Sequence, residues 1–486
     1  MPDDTAAPPG WVADAVFYQI FPDRFAQSTK VPKPTFLQPW EAPPTPHAYK
    51  GGDLLGVLER LDYLEELGIS AIYFNPIFKS TANHRYHTYD YYEVDPLLGG
   101  NAAFDALLKE AHRRGIRIVL DGVFNHTGRG FLQFNDILEN GPDSPYLDWF
   151  TVTGFPLRAY EVESGPNYAA WWNLSALPKL NVNTPAVREF LWDVGQYWIE
   201  RGADGWRLDV PSEINDDAFW LEFRRRVKAA NPEAYIVGEI WGDARRWIRG
   251  GQFDAVMNYL FAKACMGFFL ADSLDERLTI GLSYAPVPRL DGPAFAQAIA
   301  DMLALYPEPN NLVQLNLLDS HDTARFLSLG RGDEKALCLA ALFQMAFVGA
   351  PCIYYGDEIG LAGGRDPDCR RGMVWDQRQW NTSLLDSYKR LIGLRRERMA
   401  LRHGTYTGLY ALDKVVAFGR RYGTEACVVA LNSGRRPVTL DVPLHGYLPD
   451  GSTLRDAVTG QLLPVLQGQL PGLTLAPQSD LILDCV

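Results

Sequence analysis

Short apolar segments alternate with amphipathic helical segments along most of the chain. The helical segment 54–67, for example, has apolar residues near i, i+3 and i+4 spacing and ends at Gly68. Alternation of this kind predicts βα units whose strands pair in parallel. Eight strands are predicted, at residues 15–21, 69–78, 116–126, 202–210, 234–240, 252–259, 311–319 and 351–359. The predicted fold class is therefore α/β, with a (β/α)8 barrel of the TIM type.

The alternation is interrupted once and ends before the chain does. Asp209 in the fourth strand follows Asp121 in the third by 88 residues, whereas a βα unit takes about 30. The excess is rich in Gly, Pro, Asn and Trp and predicts a small inserted domain over the barrel mouth. After residue 400, short alternating runs separated by turn residues predict an antiparallel β-sandwich. The predicted domains are a first barrel part (1–126), an inserted domain B (127–181), a second barrel part (182–400) and a C-terminal sandwich (401–486).

Composition narrows the class of ligand. The formal net charge of −13 argues against nucleic acid, whose phosphates require clustered Lys and Arg. Aromatic residues make up 12% of the chain, and their rings suit the flat apolar faces of neutral sugars. The sequence has no apolar run of the length that spans a membrane and no signal-peptide pattern, so we expect no membrane partner and a cytoplasmic location. The six cysteines lack metal-ligand spacing, and we expect free thiols.

Ionisable residues cluster at the carboxyl ends of the predicted strands, where the βα loops of a barrel gather. Each residue alone has an ordinary explanation, since a carboxylate at a strand end often caps the following helix. Their occurrence on strands three, four, five and seven argues against that explanation for the whole set. The set consists of Asp121, His126, Arg207, Asp209, Glu239, His321 and Asp322.

These residue types match the needs of glycosidic bond cleavage with retention. That reaction uses two carboxyl groups about 5–5.5 Å apart, one as nucleophile and one as proton donor. Asp209 and Glu239 end neighbouring strands, which lie about 4.8 Å apart. Arg207 faces the same side of its strand as Asp209, and we expect its charge to keep Asp209 ionised. We expect an apolar surrounding to raise the pKa of Glu239, and Asp322 to hydrogen-bond the sugar in the transition state.

Four segments that contain these residues resemble the signature regions of the α-amylase superfamily, glycoside hydrolase family 13. They are DGVFNH (121–126), GWRLDV (205–210), GEIW (238–241) and LLDSHDT (317–323). The resemblance implies that Asp209 is the nucleophile, Glu239 the acid/base and Asp322 the transition-state stabiliser. It also implies a structural support in Asp121 and a set of residues that line the subsite of the reacting sugar, namely Tyr86, His126, Arg207 and His321.

A finer resemblance is to the cyclomaltodextrinase, neopullulanase and maltogenic amylase branch, through LPKLN (177–181) and GDEIGLAGGRDPDCRRGMVWD (356–376). It implies that Asp366 and Arg370 contact the next sugar on the minus side, and that Trp241 stacks on a sugar on the plus side. Members of that branch usually carry an N-terminal β-domain that takes part in dimerisation. This sequence begins almost at its first predicted strand, so the oligomeric state stays open.

The resemblance requires no cofactor, and no metal ligands are assigned. Calcium is left open, because Asn125 matches a calcium ligand of α-amylases while Glu213 occupies the position of that site's histidine. The branch's VANE motif after the nucleophile is also replaced, by the residues VPSE at 210–213.

The expected activity is hydrolysis of α-1,4-glucosidic bonds in cyclodextrins and maltodextrins, with pullulan as a further candidate and with transglycosylation to sugar acceptors. The alternative within the same chemistry is an exo-acting α-glucosidase on short malto-oligosaccharides. The alternative from another class is a non-catalytic carbohydrate-binding protein, which the presence of all three carboxylates argues against. The sequence leaves chain-length preference, α-1,6 activity and the ratio of hydrolysis to transfer open.

Overall fold

A computed structural model describes residues 7–161 and 165–486 of the chain. The strands, numbered in chain order, are β1 (Phe17–Ile20), β2 (Ala71–Phe74), β3 (Phe78–Ser80), β4 (Thr88–Val94), β5 (Arg117–Gly122), β6 (Gly205–Leu208), β7 (Tyr235–Gly238), β8 (Ala255–Asn258), β9 (Leu315–Leu317), β10 (Ala350–Tyr354), β11 (Thr405–Leu412), β12 (Val415–Tyr422), β13 (Glu425–Asn432), β14 (Val438–Pro443), β15 (Thr453–Asp456), β16 (Leu462–Pro464), β17 (Gln469–Leu475) and β18 (Ser479–Cys485). The α-helices are α1 (Trp11–Asp14), α2 (Pro22–Phe25), α3 (Leu54–Leu58), α4 (Leu61–Leu67), α5 (Gly100–Arg113), α6 (Leu132–Asn140), α7 (Pro185–Glu200), α8 (Asp217–Ala230), α9 (Arg245–Arg249), α10 (Tyr259–Phe269), α11 (Gly292–Leu305), α12 (Glu308–Asn311), α13 (Phe326–Leu329), α14 (Glu334–Ala346), α15 (Thr382–Glu397) and α16 (Met399–His403).

Eight parallel strands form a closed barrel in the order β1-β10-β9-β8-β7-β6-β5-β2. The ring closes where β1 pairs with both β2 and β10, so that Phe17 is opposite Ala71 on one side and Cys352 on the other. Each of the eight predicted segments overlaps one barrel strand, and the predicted (β/α)8 fold is confirmed. The barrel strands are almost wholly buried, as expected for a parallel sheet covered by helices.

Several predicted elements are longer than the observed ones. The segment 311–319 contributes only Leu315–Leu317 to the ladder. The helix α12 extends to Asn311 at the start of the segment, and the loop that contains Asp322 begins directly after the strand. The predicted helix 54–67 is split between α3 and α4, and it ends at Gly68 in the left-handed conformation (φ +94°) as predicted. Apolar runs continue beyond the paired strands because residues at the barrel mouth are buried even where they are not hydrogen-bonded in the ladder.

An antiparallel pair that the sequence analysis missed follows the second barrel strand. β3 and β4 pair between β2 and α5, and the turn between them carries Tyr86. Residues 88–94 mix aromatic and charged residues and lack the apolar run that marks the barrel strands, so no strand was predicted there.

The segment between β5 and α7 is irregular, and backbone bridges tie it to the barrel. The bridge His126–Lys179 joins the last part of the segment to the residues that come after β5. The bridge Phe150–Leu180 joins that last part to the middle of the same segment. Aromatic side chains form its interior, with Phe134 packing edge-on against both Phe150 and Tyr168. The segment therefore lies next to the carboxyl end of a barrel strand.

The C-terminal part contains a six-stranded sheet, β11-β12-β13-β18-β15-β16, and a two-stranded sheet, β14-β17. Their inner faces share a second apolar core that includes Val428, Val442 and Leu473. The predicted antiparallel sandwich is thus confirmed. In the part of the chain that the structure describes, no cysteine is paired with another, as expected.

No helix within residues 7–161 and 165–486 is long and apolar enough to cross a membrane.

A buried arginine joins the barrel closure to the C-terminal part of the chain. Arg395 on α15 is fully buried and donates hydrogen bonds to the carbonyls of Ala13 (2.9 Å), Gly349 (2.6 Å), Met345 (3.0 Å) and Leu401 (3.0 Å). These acceptors belong to α1, to the residue before β10, to α14 and to α16. One guanidinium therefore supplies hydrogen bonds to backbone carbonyls of four separate segments.

Replacing Arg395 by Met is expected to lower the free energy of unfolding by about 3–5 kcal/mol, because several carbonyls lose their donor in a buried place. Thermal denaturation followed by circular dichroism measures this as a fall in the melting temperature. The matched control is Arg396→Met, since Arg396 is the next residue on the same helix and is exposed. That variant should stay within about 0.5 kcal/mol of the parent. Equal melting temperatures for both variants would contradict the proposed role of Arg395.

Candidate active site

The predicted carboxylates lie at the carboxyl ends of neighbouring barrel strands. Asp121 is in β5, Asp209 follows β6 directly and Glu239 follows β7 directly. Asp322 lies in the turn after β9. Because all eight strands are parallel, these side chains meet at one mouth of the barrel.

Arg207 is at the centre of this group. Its Nη1 donates to Asp121 Oδ1 and to Asp209 Oδ1, each at 3.0 Å, and its Nη2 lies 3.0 Å from Glu239 Oε2. The guanidinium is completely buried. One cation thus fixes three carboxyl groups of three adjacent strands at a common distance.

One carboxylate oxygen of the group is left free. Asp209 Oδ2 is buried and has no hydrogen-bond partner among the described residues. The next residue, Val210, has a left-handed backbone (φ +35°, ψ +50°), which is an outlier for a β-branched side chain and marks local strain. In that conformation the Val210 N–H donates to Glu239 Oε2 at 3.0 Å, so the strained residue connects the two strand ends.

The other carboxylate oxygen of Glu239 accepts a hydrogen bond from Trp241. The indole Nε1 donates to Glu239 Oε1 at 2.9 Å, and the indole ring stacks on Tyr259 with centroids 3.8 Å apart. Trp241 was predicted to stack on a sugar, and the structure gives it this additional contact with the carboxylate. Both oxygens of Glu239 therefore have fixed directions.

A second network connects Asp121 with the loop that carries Asp322. The Tyr86 hydroxyl donates to Asp121 Oδ2 at 2.9 Å and lies 2.7 Å from His321 Nε2. That nitrogen is 3.1 Å from Asp322 Oδ2. Tyr73 adds a hydrogen bond to Asp121 Oδ2 at 3.0 Å. Tyr86 therefore connects Asp121 on one side of the site with His321 and Asp322 on the other.

Two polar residues inside the barrel, Gln19 and Asn75, complete this network and were missed by the sequence analysis. The Gln19 side-chain amide donates to Asn75 Oδ1 at 3.1 Å and lies 2.9 Å from His321 Nδ1. With Nδ1 as acceptor, the proton of the neutral imidazole is on Nε2, which faces Tyr86 and Asp322. Burial lowers the pKa of His321 well below its ordinary value, in keeping with a neutral ring. The available signal was an amide side chain within each of two apolar strand segments, 15–21 and 69–78.

The remaining predicted residues extend the site in two directions. Arg370 donates to Asp322 Oδ1 at 3.2 Å and to the His321 carbonyl at 2.8 Å, and it pairs with the partly exposed Asp366 at 3.1 Å. His126 is buried on the other side and stacks on Trp171 with centroids 5.0 Å apart. Its Nε2 has no partner within the described ranges, and burial lowers the pKa of His126 to about 3. All the predicted site residues therefore lie at the same mouth, either in the two networks or directly beside them.

Burial dominates the protonation of the carboxyl groups. It raises the pKa of Asp209 well above the ordinary range and raises that of Asp121 to about 6, although Arg207 lowers both. The effect of Arg207 on Asp209 thus has the expected direction, but burial is the larger cause and raises the net pKa, and repulsion by Glu239 and Asp121 adds to the rise. The expected rise in the pKa of Glu239 through burial is confirmed in direction.

The residues near Asn125 fit calcium poorly. Its side-chain oxygen is buried without a hydrogen-bond partner in the described part of the chain, which favours a cation. However, Glu213 is already paired with the Lys179 ammonium at 3.0 Å, and no three His, Cys, Asp or Glu side chains of the described residues are grouped to hold a metal. Calcium takes six to eight oxygen ligands, usually including carboxylates.

Comparison with known proteins decides the family. Residues 19–404 match the model of the α-amylase catalytic domain, and residues 406–482 match the neopullulanase-like C-terminal domain. The chain belongs to the α-amylase family of glycoside hydrolases. The family model ends one residue before β11, where the barrel gives way to the C-terminal sheets.

Similar relatives within the α-amylase family support the finer resemblance. The chain is 45% identical to neopullulanase 2 of Thermoactinomyces vulgaris over 98% of its own length and 78% of that protein. It is 44% identical to a cyclomaltodextrinase of a Bacillus species, over 90% of this chain and 76% of that protein. Among solved structures, the native debranching enzyme of Nostoc punctiforme matches with a TM-score of 0.91 and 47% identity, covering 98% of this chain and 99% of the other.

The contacts of Glu239 predict a shift in pH dependence. With Glu239 as the predicted proton donor, which must be protonated to act, kcat/KM on a chromogenic α-glucoside should fall as pH rises through the raised pKa of Glu239. The Trp241 N–H stabilises the charged carboxylate and lowers its pKa. Trp241→Phe should therefore move the alkaline limb to still higher pH.

The control for this prediction is Trp192→Phe, which removes an indole donor to the Phe219 carbonyl on α8, away from the carboxylates. Its pH profile should coincide with that of the parent. A shift of the Trp241→Phe profile to lower pH would contradict the assignment of the limb to Glu239.

Proposed function

We propose that the protein is a retaining α-glucan hydrolase in which Asp209 is the nucleophile, Glu239 the general acid and base, and Asp322 the transition-state stabiliser. The observation that carries this proposal is the pairing of Asp209 and Glu239 with the same guanidinium, each at 3.0 Å. That arrangement brings two carboxyl groups of adjacent strands close enough for a double displacement.

In the first step the free Oδ2 of Asp209 attacks the anomeric carbon of the reacting sugar. Glu239 gives its proton to the glycosidic oxygen, the bond between that oxygen and the anomeric carbon breaks, and the reducing-side sugar leaves as an alcohol. A covalent β-glucosyl ester on Asp209 results. Arg207 holds the other oxygen of Asp209, so the attacking oxygen keeps a fixed direction.

In the second step Glu239, now ionised, takes a proton from water as the water oxygen attacks the same carbon. The ester bond to Asp209 breaks, and the product leaves with its original anomeric configuration. A sugar hydroxyl that replaces this water would yield a transfer product, so transglycosylation accompanies hydrolysis.

Asp322, His321 and Arg207 act on the sugar at the reacting position. Asp322 is the most accessible of the three carboxylates and has a fixed orientation through Arg370 and His321. Its hydrogen bonds to ring hydroxyls would strengthen as positive charge develops on the anomeric carbon. His126 and Tyr86 border the same position, and Asp366 with Arg370 borders the next one.

We propose cyclodextrins and maltodextrins as substrates, with pullulan as a further candidate. The names of the relatives, neopullulanase and cyclomaltodextrinase, support this class of substrate. The Nostoc debranching enzyme supports a second candidate activity, cleavage at α-1,6 branch points, because the chains match over nearly their full lengths. A cytoplasmic location stays a prediction, to be checked by cell fractionation. No oligomeric state is predicted, and light scattering would measure it.

A time course of products from β-cyclodextrin, maltoheptaose and pullulan, each incubated separately, tests the substrate class. Ring opening with accumulating maltose is the expected result. Intact cyclodextrin combined with stepwise loss of glucose from maltoheptaose would instead establish the exo-acting α-glucosidase. Release of maltotriose from pullulan would indicate α-1,6 cleavage.

Replacing Asp209 by Asn is expected to reduce kcat by about 10⁴-fold or more, because the amide cannot form the ester, while the Kd for maltoheptaose changes little. Chromatography of products and calorimetric titration measure the two quantities. The control Asp301→Asn, on the exposed face of α11, should keep full activity. Substantial turnover by the Asp209→Asn variant would refute its role as nucleophile.

Retention predicts that the first product formed is the α-anomer. Proton NMR of the anomeric signals within the first minutes of reaction, before mutarotation, measures this directly. A first product in the β-configuration would require an inverting mechanism and would contradict the covalent intermediate.

A further inference from the structure

An ordered loop tip of the inserted segment lies beside the catalytic mouth. The base of the tip is held by the backbone bridges Ala170–Pro178 and His126–Lys179, so it is bonded to the segment that leads out of β5. The Trp171 N–H donates to the Leu177 carbonyl at 3.0 Å, and the Tyr168 hydroxyl donates to the Ser175 carbonyl at 2.6 Å. These bonds close the tip, residues 171–177, on itself.

Three aromatic rings lead outward from the reacting position to this tip. His126 and Trp171 are parallel within 9°, with centroids 5.0 Å apart. Trp171 and Trp172 are parallel within 14°, with centroids 4.4 Å apart. We name this set of rings the aromatic column. Its inner end is the buried imidazole at the site, and its outer end is the indole of Trp172.

The outer ring is exposed, although burial of an indole is normally favourable. Trp172 is 76% exposed, which leaves one flat face of the column open to solvent. Its backbone is left-handed (φ +50°, ψ +25°), and so is that of Asn173 (φ +59°). A bulky residue in that conformation is strained, and such strain is typical of ligand-binding positions. The tip thus holds an indole in an unfavourable backbone conformation with its face turned outward.

We propose that the outer face of Trp172 is a stacking subsite for a glucosyl unit of the same α-glucan chain that occupies the catalytic mouth. The inference rests on the proposed function, and it adds a contact beyond the reacting sugar that favours long or cyclic substrates over short ones. Parallel stacking on an aromatic face suits the apolar C–H face of a neutral sugar. Continuity with His126 through two ring contacts places the subsite on the side of the inserted segment.

The test compares long and short ligands in variants of the full chain. Trp172→Asn keeps a residue that tolerates the left-handed backbone and removes the ring. In the Asp209→Asn background, the Kd for maltoheptaose should rise about three- to ten-fold, the range expected for loss of one stacking contact. In the active enzyme, KM for maltoheptaose should rise by a similar factor, while kcat/KM for 4-nitrophenyl α-glucoside stays the same. Trp172→Tyr should restore most of the affinity.

The matched control is Tyr422→Ala, which removes an exposed aromatic ring from β12 in the C-terminal sandwich and should leave all these constants unchanged. Unchanged Kd and KM for maltoheptaose in Trp172→Asn would overturn the proposal. So would loss of a dimer in Trp172→Asn with unchanged glucan affinity, since the ring would then serve a contact between copies of the chain. Absence of turnover in the parent enzyme on every α-glucan would refute the proposed function instead, and the Kd measurement would still report on the stacking subsite.

Discussion

The site depends on one buried cation placed among three carboxyl groups. Arg207 cannot give up its charge at any physiological pH, so Asp121, Asp209 and Glu239 are drawn to fixed distances around it in a place where water cannot screen them. The three carboxyl groups around this one guanidinium repel one another when all are ionised, and burial raises the pKa of each of them. The same contacts therefore set both the geometry and the proton content that a double displacement needs.

This arrangement requires the closed parallel barrel. Pairing of Asp121 with Arg207 in the register of β5 and β6, and of Leu208 with Gly238 in that of β6 and β7, brings the three strand ends to one level. Gln19 and Asn75 then extend from the first two strands to orient His321. A shift of one residue in any of these registers would turn the side chain to the other face of its strand.

The barrel and the carboxylates could be predicted because both follow from local patterns, namely apolar runs of strand length and charged residues at their ends. The limits of β9 and the pairing of β3 with β4 could not, because they depend on which neighbours lie alongside. The hydrogen bond from Gln19 to His321 could not be predicted for a similar reason, since a bond between residues far apart in the chain leaves no spacing pattern. The bond from Trp241 to Glu239 depends on a side-chain orientation that the spacing does not specify. The raised pKa of Asp209 could not be predicted either, because it results from burial that outweighs the lowering by Arg207, and burial depends on the assembled barrel rather than on local spacing.

The pairing of β1 with β10 has a consequence for biosynthesis. Phe17 meets Cys352 across the closure, so the first strand leaves the ribosome about 335 residues before its second partner exists. At about 5–20 residues per second, that edge waits for roughly 20–70 seconds with only β2 beside it. During that interval the nascent chain carries an open parallel edge that invites pairing with other chains. Pairing with β10 covers that edge only late in synthesis.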